Sequence, residues 1–241
     1  MTLRAPVLLA IAVASLGAVS CGDVSRLKAR CLAGEVASCT ELGDHYALGQ
    51  GVERDLGRAG EAYSRACDGG AFDVCNALGE MYRETGPIEG GAERAEELFV
   101  RACEGGSSAG CLNLGLAFAE REDFARALAL YERSCSAGWA AGCHQLGHSY
   151  EIGEGVKADP QRAIAWYGQA CDGELVDGCV SAAMLLLTGT LVPADLPGAQ
   201  RFFARAVALL DEGCQAGNDR QCTERDRLKT RIAIAQAGKG P

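Results

Sequence analysis

The chain has 241 residues, a formal net charge of −9, and 48% hydrophobic but only 6% aromatic residues. This composition is typical of a folded protein whose interior is built from small side chains. The acidic balance argues against nucleic acid and anionic lipid headgroups as partners, because both repel a negative surface.

The N-terminus carries the features of an export signal. Arg4 supplies a positive start, and residues 6–16 form an apolar stretch that is too short to span a bilayer. The Ala-Val-Ser-Cys that ends at Cys21 resembles a bacterial lipoprotein box, although its small residues also fit an ordinary signal peptidase. We therefore predict a signal peptide over residues 1–20, lipid attachment at Cys21, and a lipid-anchored tether and first helix over residues 21–30.

The 13 cysteines follow a fixed spacing, since twelve of them form six Cys-x7-Cys pairs and Cys21 is left over. Random placement would give about 0.7 such pairs, so the spacing is a design feature, and its parity favours lipid attachment at Cys21. Disulfides persist in exported proteins and are rare in the cytosol, so the pairs are predicted to be oxidised. They are Cys31 with Cys39, Cys67 with Cys75, Cys103 with Cys111, Cys135 with Cys143, Cys171 with Cys179 and Cys214 with Cys222.

A helix, here named helix A, is predicted to begin near the second cysteine of each pair. Four of these cysteines start the pattern Cys-x2-Leu-Gly-x2-aromatic. Its apolar residues fall on one helical face, and a glycine on that face allows a neighbouring helix to approach closely.

A glycine turn and a second helix, named helix B, follow helix A. The turn reads Gly-x-Gly-Val-x2-Asp at residues 49–55 and 153–159, where the glycines permit a reversal and the aspartate caps the next helix. Helix B reads Ala-x3-aromatic-x2-small-Cys and ends at the first cysteine of the next pair. Three residues later a glycine is suited to end the helix in the left-handed conformation, and only Glu174 breaks this pattern.

The distances between successive first cysteines are 36, 36, 32, 36 and 43 residues, the period of a helix-hairpin repeat. The third unit lacks four residues, so Glu122 and Asp123 are expected to lead directly into helix B. Seven extra residues before Cys214 predict an overlong helix near residues 195–213. Residues 223–241 are predicted to form a C-terminal capping helix and tail.

Together these patterns resemble the Sel-one-like repeat, a relative of the tetratricopeptide repeat. With the added Cys-x7-Cys bridges the chain looks most like the secreted Helicobacter cysteine-rich protein family. The resemblance covers residues 31–222, about five repeats, and implies an all-α, right-handed α/α superhelical solenoid of disulfide-linked helix hairpins. Each pair is expected to join the end of a helix B to the first turns of the next helix A.

The resemblance also implies that polar residues of helix A lie on the concave side of the solenoid. His144 and His148 have the spacing of two metal ligands on one helix, but no glutamate follows His144 in a zinc-protease pattern and Cys143 belongs to a pair. We therefore predict a binding surface with no metal and no cofactor. Its residues are Thr40, Asp44, Asn76, Glu80, Asn113, His144, Gln145, His148 and Glu151.

No catalytic residue is predicted. Some relatives in the cysteine-rich family carry a penicillin-binding or β-lactamase label, and Ser25-x-x-Lys28 fits the first motif of those enzymes. The other two motifs are missing, and a flexible tether provides neither a fixed base nor an oxyanion hole. Cysteines eight residues apart do not fit a thiol-exchange catalyst. Tyr131 and Tyr167, like Tyr46 and Tyr82, have the phase of interhelix packing.

We expect a non-enzymatic scaffold that is exported and anchored to the outer membrane, facing the periplasm or the surface, or else freely secreted. Its expected partner is a protein, a peptide or another cell-envelope component. The chain is expected to be a monomer that touches the membrane only through its N-terminal lipid. The alternative, from the family label, is a cell-wall-active hydrolase of the penicillin-binding or β-lactamase type.

Overall fold

The computed structural model describes residues 21–84 and 91–237, which form twelve α-helices and no strand. The helices are α1 (Cys21–Leu32), α2 (Val36–Leu48), α3 (Leu56–Asp68), α4 (Phe72–Glu84), α5 (Gly91–Glu104), α6 (Ser108–Ala119), α7 (Phe124–Ser136), α8 (Ala140–Ile152), α9 (Pro160–Asp172), α10 (Val176–Thr188), α11 (Leu196–Gln215) and α12 (Asp219–Ala237). Each helix packs mainly against its neighbours in the chain, as expected for a solenoid.

Helices α2 to α11 form five hairpins, in which even-numbered helices are of type A and odd-numbered helices are of type B. The two end helices are unpaired halves of the same unit. Helix α1 is of type B, because it ends at a first cysteine, Cys31, and α12 is of type A, because it carries the second cysteine Cys222. The described chain is thus five complete hairpins between two half-units.

Residues 21–30, predicted as a tether and first helix, are helical throughout. Val24, Leu27 and Cys31 recur at helical spacing and are at most 5% exposed, packed in one core cluster with α2 and α3. The predicted signal peptide, the side chain of Cys21 and residues 238–241 lie outside the described part of the chain.

The structure brings the two cysteines of every predicted pair together in a disulfide. Their Cα atoms lie between 4.4 and 4.8 Å apart, at the short end of the range that a disulfide spans. Each bridge joins the last turns of one helix to the first turns of the next, so the bridges connect successive hairpins across their joints. In chain order they join Cys31 to Cys39, Cys67 to Cys75, Cys103 to Cys111, Cys135 to Cys143, Cys171 to Cys179 and Cys214 to Cys222.

The sulfurs of the first joints are part of the hydrophobic core. Cys39 packs in one cluster with Leu42 and Tyr46 of its own helix and is 2% exposed, and Cys75 is fully buried beside Ala102 of α5. A second cysteine of a pair therefore fills space between hairpins as well as closing a bridge.

At each joint one residue reverses the chain in the left-handed conformation. Glycine holds this position at five joints, for example Gly106 with φ of 97°. At the fifth joint it is held by Glu174 with φ of 65°, and its N–H still donates to Cys171 O at 3.0 Å. Glu174 therefore breaks the glycine pattern of the sequence, as predicted, but the backbone turn at this joint is the same as at the others.

Four of the turns between helices A and B place an aspartate at the start of helix B. Asp55 accepts a hydrogen bond from the backbone N–H of Arg58, and Asp159 precedes Pro160 in the same role. In the shortened third unit Asp123 caps α7 directly, as the missing residues predicted. Helix α11 runs for 20 residues, which agrees with the predicted overlong helix.

In the first four hairpins an aromatic ring of helix B packs against a glycine of helix A. A Cβ added at Gly79 would lie 2.6 Å from the Phe99 ring, and one added at Gly115 would lie 2.7 Å from the Tyr131 ring. Phe99 and Tyr131 are buried. The glycine of the Leu-Gly-x2-aromatic pattern is therefore required by the ring beside it.

No helix within the described residues is both long enough and apolar enough to cross a membrane.

Candidate binding surface

The polar side chains of α2, α4, α6, α8 and α10 are together named here the helix-A surface. All nine predicted surface residues lie on these helices. The structure shows that they differ in how much of each side chain is open to a ligand, and neighbouring A helices use several of them to bond to one another.

The best-buried group joins α4 to α6. The Nδ2 of Asn113 donates to Asn76 Oδ1 at 2.8 Å and to Glu80 Oε1 at 2.9 Å. Asn76 and Asn113 are only 7% and 6% exposed, so these amides mainly hold two hairpins in register. Glu80 is half-buried and keeps an edge toward solvent.

Two carboxylates of the surface accept hydrogen bonds from tyrosines of the paired B helix. Tyr63 donates to Asp44 at 2.7 Å, and Tyr167 donates to Glu151 at 2.6 Å. Burial, reinforced by the neighbouring carboxylate, raises the pKa of both tyrosines far above the ordinary value, so both remain protonated donors. Burial also raises the pKa of Tyr131 to about 12.

His144 lies between two hairpins. Its Nε2 is 3.3 Å from Ser181 Oγ on α10, and its ring centroid is 5.0 Å from that of Tyr167. Burial lowers the pKa of His144, opposed by the nearby carboxylate of Asp177, so the neutral imidazole is favoured at neutral pH. The His144 side chain therefore joins two A helices, α8 and α10, through a hydrogen bond.

The remaining predicted residues are more open. His148 is exposed and Gln145 is half-buried, while the half-buried Thr40 bonds within its own helix, to Val36 O. Among the described residues no group of three or more His, Cys, Asp or Glu side chains is placed to hold a metal ion. In the described part of the chain, His144 and His148 are therefore not joined by a third such side chain in a metal-binding group.

Charge separates the two kinds of helix. The five A helices of the hairpins contain seven carboxylates and one arginine, Arg83. The five B helices contain ten carboxylates and nine arginines. The helix-A surface is thus acidic and almost free of cations, whereas the helix-B side is close to neutral.

The repeats identify the family. A family model described as "Sel1 repeat" matches residues 36–70, 73–107, 108–139, 140–174 and 176–209. The chain belongs to the Sel1 repeat family. The first four matches each take in one A/B hairpin, apart from Phe72 at the start of α4, and the fifth takes in α10 and most of α11. The unit of this Sel1 repeat protein is therefore the hairpin, and α1 and α12 lie outside the matched ranges.

Similar solved structures support the fold of this Sel1 repeat protein. A Sel1 repeat protein from Oxalobacter formigenes has 17% identity and a TM-score of 0.66 over 76% of this chain and 75% of its own. c5321, a protective antigen of uropathogenic Escherichia coli with an SLR fold, has 19% identity and a TM-score of 0.68 over 87% of this chain. The match covers 48% of c5321, so this chain spans about half its length.

Helicobacter pylori cysteine rich protein B is also similar, with 25% identity and a TM-score of 0.42 over 52% of this chain and 93% of its own. No curated protein matches the chain by sequence. The Sel1 repeats and the SLR-fold neighbours confirm the predicted α/α solenoid.

The S-x-x-K sequence lies on a helix in this Sel1 repeat protein, not on the flexible tether that was expected. Ser25 and Lys28 are both exposed on α1. A groove of about 830 Å³ lies elsewhere, between α3, α4 and α5, with Met81, Tyr82 and Leu98 among its lining residues. Neither Ser25 nor Lys28 lines that groove, so the groove does not enclose this serine.

Some contacts of the surface were not predicted from the sequence. Ser181 was not among the predicted residues, although it bonds to His144. The hydrogen bond that Asp44 accepts from Tyr63 was also not predicted. The sequence feature that could have indicated it is an acidic residue on helix A together with a tyrosine on helix B of the same unit. In the second unit the aromatic is Phe99, which has no hydroxyl, and Glu80 bonds instead to Asn113.

Proposed function

We propose that this Sel1 repeat protein is a non-enzymatic scaffold that binds a protein or peptide on its helix-A surface. The observation that carries this proposal is the uneven distribution of charge between the A helices and the B helices. Repeat proteins bind through extended surfaces made by equivalent helices of successive units. A surface of seven carboxylates with one arginine favours a partner segment that carries lysine or arginine.

The open polar residues suit such a segment. Gln145 and His148 offer hydrogen-bonding groups between the acidic first hairpins and Asp177 of the fifth. Exposed carboxylates attract a cationic segment from a distance and set its register, while their contribution to affinity is modest for each pair. The acidic surface is therefore expected to act mainly through the rate and the salt dependence of binding.

A crosslinking experiment tests the location of the surface. A photo-crosslinking amino acid is placed at Gln145 on α8 or, as the matched control, at the exposed Gln161 on α9. Capture of one defined protein from envelope extracts at position 145 and not at 161 is expected. Equal capture at both positions, or capture at 161 alone, would contradict the proposed surface.

A charge experiment tests the chemistry of the partner. The triple variant Glu41→Gln, Glu84→Gln and Asp177→Asn removes exposed carboxylates from helix A, and its control, Glu61→Gln, Glu97→Gln and Glu132→Gln, makes the same change on helix B. Binding of a fluorescent lysine-rich peptide at low salt should weaken about fivefold in the first variant, at about 0.3 kcal/mol for each carboxylate. The control should retain most of its affinity.

The six disulfides indicate an oxidising, extracytoplasmic location. We further propose that the chain is exported and carries lipid on Cys21, as the preceding small residues suggest. Mass spectrometry of the mature N-terminus tests this: a diacylglyceryl-modified Cys21 is expected, and an unmodified residue at that position would point to a freely secreted protein.

The scaffold proposal also predicts no turnover of the β-lactam nitrocefin. Ser25 and Lys28 are exposed on one helix, without the enclosed surroundings that activate a serine. Nitrocefin hydrolysis that disappears in a Ser25→Ala variant would overturn the non-enzymatic proposal.

A further inference from the structure

The sixth disulfide differs from the other five in its exposure. The ten cysteines of the first five bridges are at most 8% exposed, whereas Cys214 and Cys222 are both only half-buried. The difference follows from position, because Cys222 lies on α12, the last described helix, and no further described hairpin packs over this joint. A reagent in solution can therefore approach this bridge more easily than the others.

A guanidinium group is fixed beside one of its sulfurs. Arg225 Nη1 donates to Cys214 Sγ at 3.3 Å and to Asp211 Oδ1 at 3.0 Å, and its Nη2 lies 2.8 Å from Asp226 Oδ1. The two carboxylates hold the guanidinium in place, and Lys229 Nζ adds a second cation 3.6 Å from Asp211. A neighbouring cation stabilises a thiolate relative to a thiol.

We propose that Cys214–Cys222 is a thiol–disulfide exchange site that a dithiol reductant opens ahead of the other five bridges. One thiolate of the dithiol attacks Cys222 Sγ, the sulfur–sulfur bond breaks, and its electron pair leaves on Cys214 Sγ beside Arg225. The second thiol of the reductant then loses its proton and attacks the reductant sulfur that is bonded to Cys222. The bond between that sulfur and Cys222 Sγ breaks, and Cys222 leaves as a thiolate that takes a proton from solvent. The dithiol supplies both electrons and ends as a disulfide.

The structural consequence is confined to one end of the molecule. Helix α12 is held to α11 by this bridge, by the packing of Leu228 in one cluster with Leu210, and by the ion pair of Arg225 with Asp211. Opening the bridge removes the covalent part of that attachment and loosens α12, while the five buried bridges keep the hairpins joined. Reduction of this disulfide therefore weakens the attachment of α12, the C-terminal capping helix, to α11.

Time-resolved alkylation tests the order of opening. Free thiols, including any at Cys21, are first blocked with N-ethylmaleimide, and the folded protein is then treated with limiting dithiothreitol. Portions are quenched with iodoacetamide, and the modified cysteines are identified by peptide mass spectrometry. Cys214 and Cys222 should be labelled at least about tenfold faster than any buried pair, since exchange depends on access to sulfur. Equally rapid labelling of Cys103 and Cys111 would overturn the proposal.

Two arginine variants on α12 test the role of the cation. Arg225→Gln removes the guanidinium beside Cys214, and Arg220→Gln removes an exposed arginine that pairs with Glu224 on the same helix. Opening should slow several-fold in Arg225→Gln and stay unchanged in Arg220→Gln, with Arg225→Lys restoring most of the rate. Faster opening in Arg225→Gln, or an equal change in both glutamine variants, would contradict stabilisation of the leaving thiolate.

Discussion

Glu174 holds a backbone conformation that five equivalent positions reach with glycine. Its φ is 65°, and the joint that it occupies is closed by the Cys171–Cys179 bridge. A left-handed conformation costs a residue with a Cβ about 1–2 kcal/mol. The ion pair of Glu174 with Arg205, at 4.0 Å and largely exposed, returns little of that cost.

Replacing Glu174 by glycine should therefore raise the free energy of unfolding by about 1 kcal/mol, because relief of the backbone strain outweighs the added freedom of the unfolded chain. Urea unfolding measures the change. The matched control is Gly138→Glu, at an equivalent joint with φ of 86° and open space around a new Cβ, which should lower stability by a similar amount. A lower stability of Glu174→Gly would show that the glutamate makes a compensating contact.

His144 should make stability depend on pH. Because burial lowers its pKa in the folded protein, the unfolded chain binds the proton more readily. The contribution of the neutral imidazole to stability is complete above the unfolded pKa of about 6.5 and is lost as the pH falls toward the lower folded pKa.

A His144→Gln variant should consequently lose less stability than the wild type between about pH 7.5 and about pH 5.5, measured by urea unfolding. The control is His148→Gln on the exposed side of the same helix, which should retain most of the wild-type decline. An identical pH dependence of His144→Gln and the wild type would exclude His144 as its source.

At the scale of the helices, the disulfides stabilise joints between hairpins. Removing the third bridge with Cys103→Ser and Cys111→Ser should lower the free energy of unfolding by about 2.5 kcal/mol, the loop-entropy value for a ring of this size. The terminal pair, Cys214→Ser and Cys222→Ser, should cost less, because among the described helices α12 packs mainly against α11 and can detach while the rest of the chain stays folded. Denaturant unfolding with a disulfide map of each variant measures this, and an unchanged midpoint for the first variant would contradict it.

The helices themselves were predictable because one pattern recurs in phase. The glycine of helix A was predicted to allow close approach, but the sequence did not show that an aromatic ring of the same hairpin fills the space. In the fifth unit Ala183 replaces this glycine and is fully buried in one cluster with Phe203. The aromatic residue of helix B is retained there although the glycine is not.

The contacts on the helix-A surface were less predictable. Asn76 and Asn113 are 37 residues apart and meet because successive units stack with a particular rise and rotation. The repeat pattern predicts which face of a helix is polar, whereas the stacking geometry decides which polar groups bond to each other. The binding surface therefore stays a prediction, and several of its residues mainly join neighbouring hairpins.

For the whole molecule, the separation of charge between A and B helices affects stability as well as binding. Carboxylates on the A helices have few cations nearby, so they repel one another more than those on the B helices, where Arg101, for example, pairs with Asp68 at 2.9 Å. Salt screens exposed charges, with a Debye length of about 10 Å at 0.1 M.

Raising sodium chloride from about 20 to about 200 mM should therefore raise the Tm by a few degrees, because self-repulsion of the acidic surface is screened. The helix-A triple variant should show a smaller rise than the helix-B triple variant, since it has lost carboxylates with fewer cationic neighbours. Thermal unfolding followed by circular dichroism measures both. A Tm that falls with added salt would show that attractive ion pairs outweigh the repulsion.

Because each of the twelve bridged cysteines pairs with a partner eight residues away across a joint, every bridge is local in the sequence. A duplication or loss of one full period leaves every remaining cysteine beside its own partner and every helix A before its own helix B. This architecture can therefore lengthen or shorten by gene duplication and deletion without a new oxidative folding problem. The number of hairpins becomes a quantity that evolution can change in whole units, while the chemistry of the joint stays the same.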